Sequence, residues 1–250
     1  MKKIVLILFA AVALLACENE TVTLDGQLYG TVTDVDGNEY PVVKIGNQVW
    51  MAADLHTTHY ADGTEIPLAA ELYVTANYPE SYKDGALRFE RDRQTFSSVG
   101  TYYNWSALTR AKDGQSASPT AVDKTQGPCP KGWRVPSMED WEILINNLGG
   151  DKQAGGNMKS LTDWSNPNTG ATNSSQLNLS PTGQYLFTQQ MLDSGRSDVF
   201  DQYGYYAIYW AADEGNTWIG KGVYLSYKTA EVYAIDEAKT AGCCLRCIME

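Results

Sequence analysis

Histidine and cysteine are scarce in this 250-residue chain, which holds two His and five Cys. Few side chains are therefore available for metal or nucleophile chemistry, and few enzyme mechanisms can be written with them. Positive charge is short as well. Nineteen Lys and Arg face 30 Asp and Glu, a formal charge of −11. A phosphate-binding surface needs clustered Lys and Arg, so this balance argues against nucleic acid as a partner. There is no glycine-rich phosphate loop and no G-x-S-x-G elbow. Nothing singles out a carboxylate pair of the kind that hydrolyses glycosides. The 22 Gly and nine Pro follow no period, which removes collagenous and low-complexity readings. The apolar run from Ile4 to Ala16 falls short of the roughly 20 residues a membrane-spanning helix needs. What the chain has in excess is aromatic rings: 16 Tyr, seven Trp and five Phe. Tyrosine at that level suggests a strand-rich protein with much loop surface.

The short apolar run has a different meaning. Lys2 and Lys3 precede it, and it ends Leu14-Leu15-Ala16-Cys17. A basic start, an apolar stretch and a small residue before cysteine make residues 1–16 a secretory signal. The ending resembles the bacterial lipobox, in which the cysteine becomes the lipidated N-terminus, here Cys17. Glu18-Asn19-Glu20 resembles the acidic surface-export signal of Bacteroidota lipoproteins. Residues 17–25 then form a lipid-anchored tether, and the expected location is the outer membrane, exposed at the cell surface. Removal of Lys2 and Lys3 makes the mature chain more acidic still. Its acyl chains, not attraction to anionic headgroups, would hold it to the membrane.

Residues 26–250 read as one domain, with no Pro- or Ser-rich linker and no internal repeat. Alternating Tyr29, Val32 and Val35, the turn Asp36-Gly37-Asn38, then Tyr40, Val42 and Ile45, Gly46-Asn47 and Val49-Trp50-Met51 predict a three-stranded meander. A short helix through Leu108 is expected after Tyr102-Tyr103. Residues 137–148 predict the main helix: Ser137 and Asp140 give the capping pattern, and Met138, Trp141, Leu144, Ile145 and Leu148 share one face. Gly149-Gly150 stops it. Residues 151–185 read as loop. Strands are expected over 206–211, 222–227, 231–235 and 242–248. Helices in the middle with strands at both ends define an α+β fold, whose two ends could pair in one sheet.

Several short motifs occur together in order: Gly30-Thr-Val-Thr-Asp34, Gln48-Val-Trp50-Met51-Ala52, Tyr103-Asn104-Trp105, Cys129-Pro130-Lys131-Gly132-Trp133-Arg134-Val135-Pro136, and Leu245-Arg246-Cys247. Together they resemble the Fibrobacter succinogenes major paralogous domain, over residues 30–248. The resemblance implies an extracellular, often lipid-anchored domain, similar in fold to C-type lectins and to the formylglycine-generating enzymes: short, mostly antiparallel strands, one main helix and long loops. It carries over no catalytic residues. It implies a disulfide between Cys129 and Cys247. Other pairings through Cys243 or Cys244 stay open, and those two adjacent thiols could be free, joined to each other, or linked to another chain.

The metal candidates are weak. His56 and His59 lie near Asp54 and Asp62 but lack a full ligand set. Asn166-Pro167-Asn168 only superficially resembles the calcium motif of sugar-binding lectins. Asp34, Asp36 and Asn38 fit a hairpin turn better than a calcium loop. No metal and no cofactor are expected. The aromatics Tyr203, Tyr205, Tyr209, Trp210 and Trp218 are the candidate ligand-binding residues, carried with loops 54–100, 111–128 and 185–218 on a rigid scaffold. The expected role is non-enzymatic binding or adhesion to an extracellular glycan or protein. The alternative is an accessory or tip subunit of a surface fibre, for which an unpaired sheet edge would be the sign. A remoter alternative is a thiol- or metal-dependent enzyme built around Cys243, Cys244 and Cys247.

Overall fold

The computed structural model describes residues 28–68, 86–90, 99–110, 126–186 and 200–250. The signal peptide, Cys17, the tether and much of the loops expected at 54–100, 111–128 and 185–218 lie outside the described residues. Among the described residues no helix is long and apolar enough to cross a membrane.

The meander forms as its pattern requires. β1 (Leu28–Thr33), β2 (Glu39–Ile45) and β3 (Gln48–Met51) are antiparallel neighbours. Asp34 organises the first turn: its carboxylate accepts from the Asp36 and Asn38 N–H groups and the Asn38 side chain at 2.9 Å, and from the Tyr40 hydroxyl at 2.5 Å. This is the hairpin role expected of these residues. Gly46 takes φ +58° in the two-residue second turn, a conformation glycine adopts without steric cost. β6 (Trp133–Arg134) and β12 (Ile248–Met249) complete the sheet in the order β1-β2-β3-β12-β6. Ile248 lies opposite both Trp50 and Arg134, so the two ends of the domain do meet in one sheet.

A second sheet, β11-β10-β9, comprises β9 (Tyr206–Glu214), β10 (Ile219–Ser226) and β11 (Val232–Ala238), all antiparallel. Two-residue pairs β4 (Arg88–Phe89) with β5 (Tyr102–Tyr103), and β7 (Gln184–Tyr185) with β8 (Phe200–Asp201), flank it. The helices are α1 (Trp105–Thr109), α2 (Met138–Asn147) and α3 (Asp151–Met158). The mixed α+β class follows.

α2 begins at a Ser137–Asp140 capping box and buries Trp141 and Leu144. α3 corrects the expectation of loop over 151–185. Its Gly155-Gly156 pair weakens helix propensity by about 1 kcal/mol per glycine, which hid it. Packing is the reason for the glycines: a Cβ on Gly155 would stand 2.7 Å from the Glu231 carbonyl oxygen, and one on Gly156 would stand 2.2 Å from that of Gly170. The strand expected over 242–248 is a second correction. Only Ile248 belongs to a strand; residues 242–244 run extended and make isolated bridges to Tyr185, Tyr103 and Tyr209.

Strand alternation feeds two cores. Val43, Ile45, Trp50, Tyr209, Ala211 and Cys244 enter one, with Trp141 and Leu144 of α2. Tyr40, Val42, Met51, Ile208, Trp210 and Cys243 enter the other, with Trp105 and Leu108 of α1. The C-terminal segment therefore runs between them. Cys243, Leu245 and Cys247 point one way, while Cys244 and Ile248 point the other. Arg246, only 1% exposed, is held by Asp54 at 2.6 Å and by the carbonyls of Met51, Leu177 and Asn178 at 3.2, 2.6 and 2.9 Å. Next to it Cys247 is bonded to Cys129 across 118 residues, the pairing the family resemblance implied. A loop of that length is worth about 5 kcal/mol in the chain-entropy account.

Candidate functional site

The side chains proposed to bind ligand separate sharply in the structure. Tyr209 and Trp210 are completely buried, which corrects their assignment as surface residues. β9 has both faces covered, so neighbouring residues go to opposite cores. The Tyr209 hydroxyl meets the backbone of Ser180, and the Trp210 indole donates to the Tyr103 carbonyl at 2.7 Å. Tyr203 is half-buried against the first core. Tyr205 and Trp218 do face solvent, at 48% and 69% exposure. They stand at opposite ends of the β9–β10 hairpin, and no single loop gathers the five candidates.

What gathers aromatic rings instead is cross-strand register. Tyr224 of β10 lies opposite Tyr233 of β11, and Tyr206 of β9 lies diagonally across from Tyr224. Their ring centroids are 5.6 Å apart for Tyr206–Tyr224 and 6.2 Å for Tyr224–Tyr233, contacts that stabilise a sheet. Over β9 this face of the sheet is covered by the second core, through Ile208 and Trp210. Tyr206 and Tyr224 are half-buried against that core, and toward β11 the face opens, with Tyr233 42% exposed. The Tyr233 hydroxyl donates to the Glu231 carboxylate, which raises the pKa of the phenol. Ser226 and Ile235 lie on the same face. The result is a ridge of rings, with hydroxyl and carboxylate groups among them.

The hairpin end of that face carries charge. Gly220 pairs with Glu214 on one side and Glu237 on the other. Gly220 is needed because the Trp105 ring lies directly on it; a Cβ there would stand 2.4 Å from Cδ1 of the indole. Lys239 pairs with Glu214 and sits 4.2 Å from the centre of the Trp105 ring. Burial raises the pKa of Glu237. Trp218 stands at the tip, where the Asn216 side chain accepts from the Trp218 and Ile219 N–H groups at 2.8 and 3.1 Å. At the other end Tyr205 meets Tyr227 edge to face at 5.3 Å, and the Lys228 ammonium lies 5.3 Å from the Tyr227 ring.

The remaining candidates are committed to structure. Among the described residues no group of three or more His, Cys, Asp and Glu is placed to hold a metal ion. Asp54 is bound to Arg246, and Asp62 to Arg110 at 2.9 Å. His59 meets Asp36 at 2.6 Å. Burial alone would raise the Asp36 carboxyl, but the Thr58 N–H, the Thr57 hydroxyl, the His59 ring and the Thr58 hydroxyl outweigh it and hold its pKa at about 2. Asn168 donates to the Ser160 carbonyl at 3.2 Å. Cys243 and Cys244 are free, buried thiols that point into different cores, so they do not form the second thiol pair considered from the sequence. Burial pushes both thiols well up. At neutral pH they are protonated and poorly nucleophilic.

The described residues define a mixed α+β protein with an aromatic sheet face that is partly open toward β11. The chain belongs to the Fibrobacter succinogenes major domain family, whose model matches residues 43–249. No curated protein matches the chain, and no solved structure does.

Proposed function

We propose that the chain is a non-enzymatic surface lipoprotein, anchored in the outer membrane through Cys17, that binds an extracellular glycan or protein where the aromatic face of the β9–β11 sheet opens toward β11. The observation that carries this reading is the row Tyr206–Tyr224–Tyr233 crossing all three strands, with Trp218 at the hairpin tip. Tyrosine and tryptophan give large contact area for little conformational entropy, and their polar ends pair with ligand hydroxyls and amides. We read the fold as C-type-lectin-like. Support comes from the short antiparallel strands, the pairing of β12 with β3, and the disulfide joining the segment before α2 to the chain end. Lectins of that fold bind sugar through calcium; here the aromatic face is offered as the surface, and the ligand is bound without metal. An accessory role in a surface fibre is the second reading, favoured by the open edge of β11.

A glycan array probed with the full-length protein in detergent, with calcium and with chelator, tests the primary reading. Binding that survives chelator and is lost in Trp218→Ala or Tyr224→Ala supports it. Binding abolished by chelator would replace it with a calcium lectin. If no glycan binds, and the two substitutions leave attachment of intact cells to protein-coated surfaces unchanged, the aromatic face is not a binding surface.

A further inference from the structure

Backbone hydrogen bonding singles out β11. The Lys239 N–H donates to the Trp218 carbonyl at 2.9 Å, which fixes Ile219 and Ala238 as a non-hydrogen-bonded pair of the antiparallel ladder. Alternation along the strand then turns the N–H and C=O groups of Val232, Ala234, Asp236 and Ala238 away from β10. At the ends these groups are used or covered. The Ala238 N–H donates to the Glu237 carboxylate, and its carbonyl accepts from Ala241. Val232 is buried where α3 packs on the strand. Ala234 and Asp236 remain exposed, and among the described residues nothing pairs with their outward backbone groups. The contrast with the other sheet is informative. Its edge strand β1 is interrupted by a register shift between Leu28 and Gly30, a common way of blunting an edge. β11 pairs with β10 without a shift over all seven residues.

We propose that the β11 edge accepts an extended, positively charged segment of a partner protein as a fourth strand of the β11-β10-β9 sheet. Main-chain hydrogen bonds to Ala234 and Asp236 supply the pairing, and the charge of the edge selects the partner. Glu231, Asp236 and Glu237 lie on or beside the edge. Of the nearby lysines, Lys221 pairs with Asp236 at 3.1 Å from β10, on the inner side, and Lys239 is taken up by Glu214. A second copy is the poorer occupant: antiparallel self-pairing that uses both outward residues sets Asp236 opposite Ala234 and offers it no Lys or Arg, and two chains each at −11 repel. A strand placing Lys or Arg across from these carboxylates, and an apolar side chain beside Tyr233 and Ile235, meets both requirements. This deepens the reading of the chain as an extracellular binding module by naming a partner chemistry. It uses the strand edge, not the ring face.

The probe is a seven-residue peptide of alternating Lys and Val, beside its Glu/Val counterpart, added to the full-length protein and followed by amide hydrogen exchange and fluorescence anisotropy. The expected result is slowed exchange at Ala234 and Asp236 with the Lys/Val peptide and binding at least about tenfold weaker for Glu/Val. Ala234→Pro removes an outward N–H while leaving the ladder to β10 intact, as edge strands permit, and should abolish the protection. Asp236→Lys should reverse the peptide preference. Four results would each overturn the proposal: amides of Ala234 and Asp236 already protected in the free monomer, which would show the edge covered by the chain itself; a concentration-dependent dimer lost in Ala234→Pro, which would make a second copy the occupant; peptide binding unchanged in Ala234→Pro; or no protection at millimolar peptide. Glycan binding on the array is read separately, so failure of the edge and failure of the ring face are told apart.

Discussion

Arg246 offers the sharpest test of how the domain is held together. Its guanidinium is 1% exposed and donates to Asp54 and to three backbone carbonyls from two distant segments. In Arg246→Met the Asp54 carboxylate would lose its one cationic partner and keep the long 3.5 Å contact from the Gly100 N–H and the neutral Tyr209 hydroxyl. Stranding one member of a buried ion pair costs about 3–5 kcal/mol, and the released carbonyls add to that. Against a total stability of about 5–15 kcal/mol, the variant should be barely folded. Urea unfolding followed by tryptophan fluorescence, with the disulfide intact, measures this directly. Removing both charges in Arg246→Met/Asp54→Leu should recover part of the loss, because no uncompensated ion remains and the two sites are coupled. A single variant within about 1 kcal/mol of wild type would refute the argument, as would a double variant whose loss equals the sum of the two singles.

Lys159 is a second buried cation, donating to the carbonyls of Thr169, Ser226 and Thr229 at 2.9, 3.0 and 2.9 Å. Burial lowers its pKa from 10.5 to about 8. The native state therefore releases this proton before the unfolded chain does, and stability relative to Lys159→Met should rise as pH goes from 8 to about 10.5; a flat difference across that window would show the amine is not desolvated. Asp36 works in the opposite range. Its pKa of about 2 against 3.8 contributes stability above pH 4 that is lost on acidification toward pH 2, so Asp36→Asn should flatten the melting temperature over that interval. Trp141→Ala removes a completely buried ring and should cost about 3–5 kcal/mol in urea. Cys17→Ser should release a form lacking lipid label into the soluble fraction, and a variant that stays membrane-bound would remove the lipobox argument.

Local signals carried much of the fold. The meander was legible because turn glycines and apolar runs of strand length agreed, and α2 because its cap, its apolar face and its stop agreed. α3 was not, since two glycines required by contact with residues 170 and 230–231 read as breakers. Tyr209 and Trp210 looked like surface rings because a sequence shows the alternation of a strand but not whether both its faces are covered. For the candidate site, Tyr205 and Trp218 were found on the exposed side. Tyr233 and the outward amides of β11 were missed, since their significance comes from register and from the strand's place at the edge of its sheet. The signal available was one tyrosine on each of three successive strand segments, Tyr206, Tyr224 and Tyr233, which becomes meaningful only once the pairing is known.

The placement of residues 241–249 between the two cores bears on when the protein can fold. A polypeptide emerging from its N-terminus exposes the meander, both helices of the α2–α3 pair and the whole β9–β11 sheet before the segment that separates the two cores arrives. Until then Trp50 lacks its cross-strand partner Ile248, Asp54 lacks Arg246, and Cys129 lacks Cys247. Residues 241–249 thus act as a keystone. Synthesis can proceed with a loose chain, and closure follows in one late event once Cys247 can bond to Cys129. Loss of these residues alone would leave neither core able to assemble as it stands here.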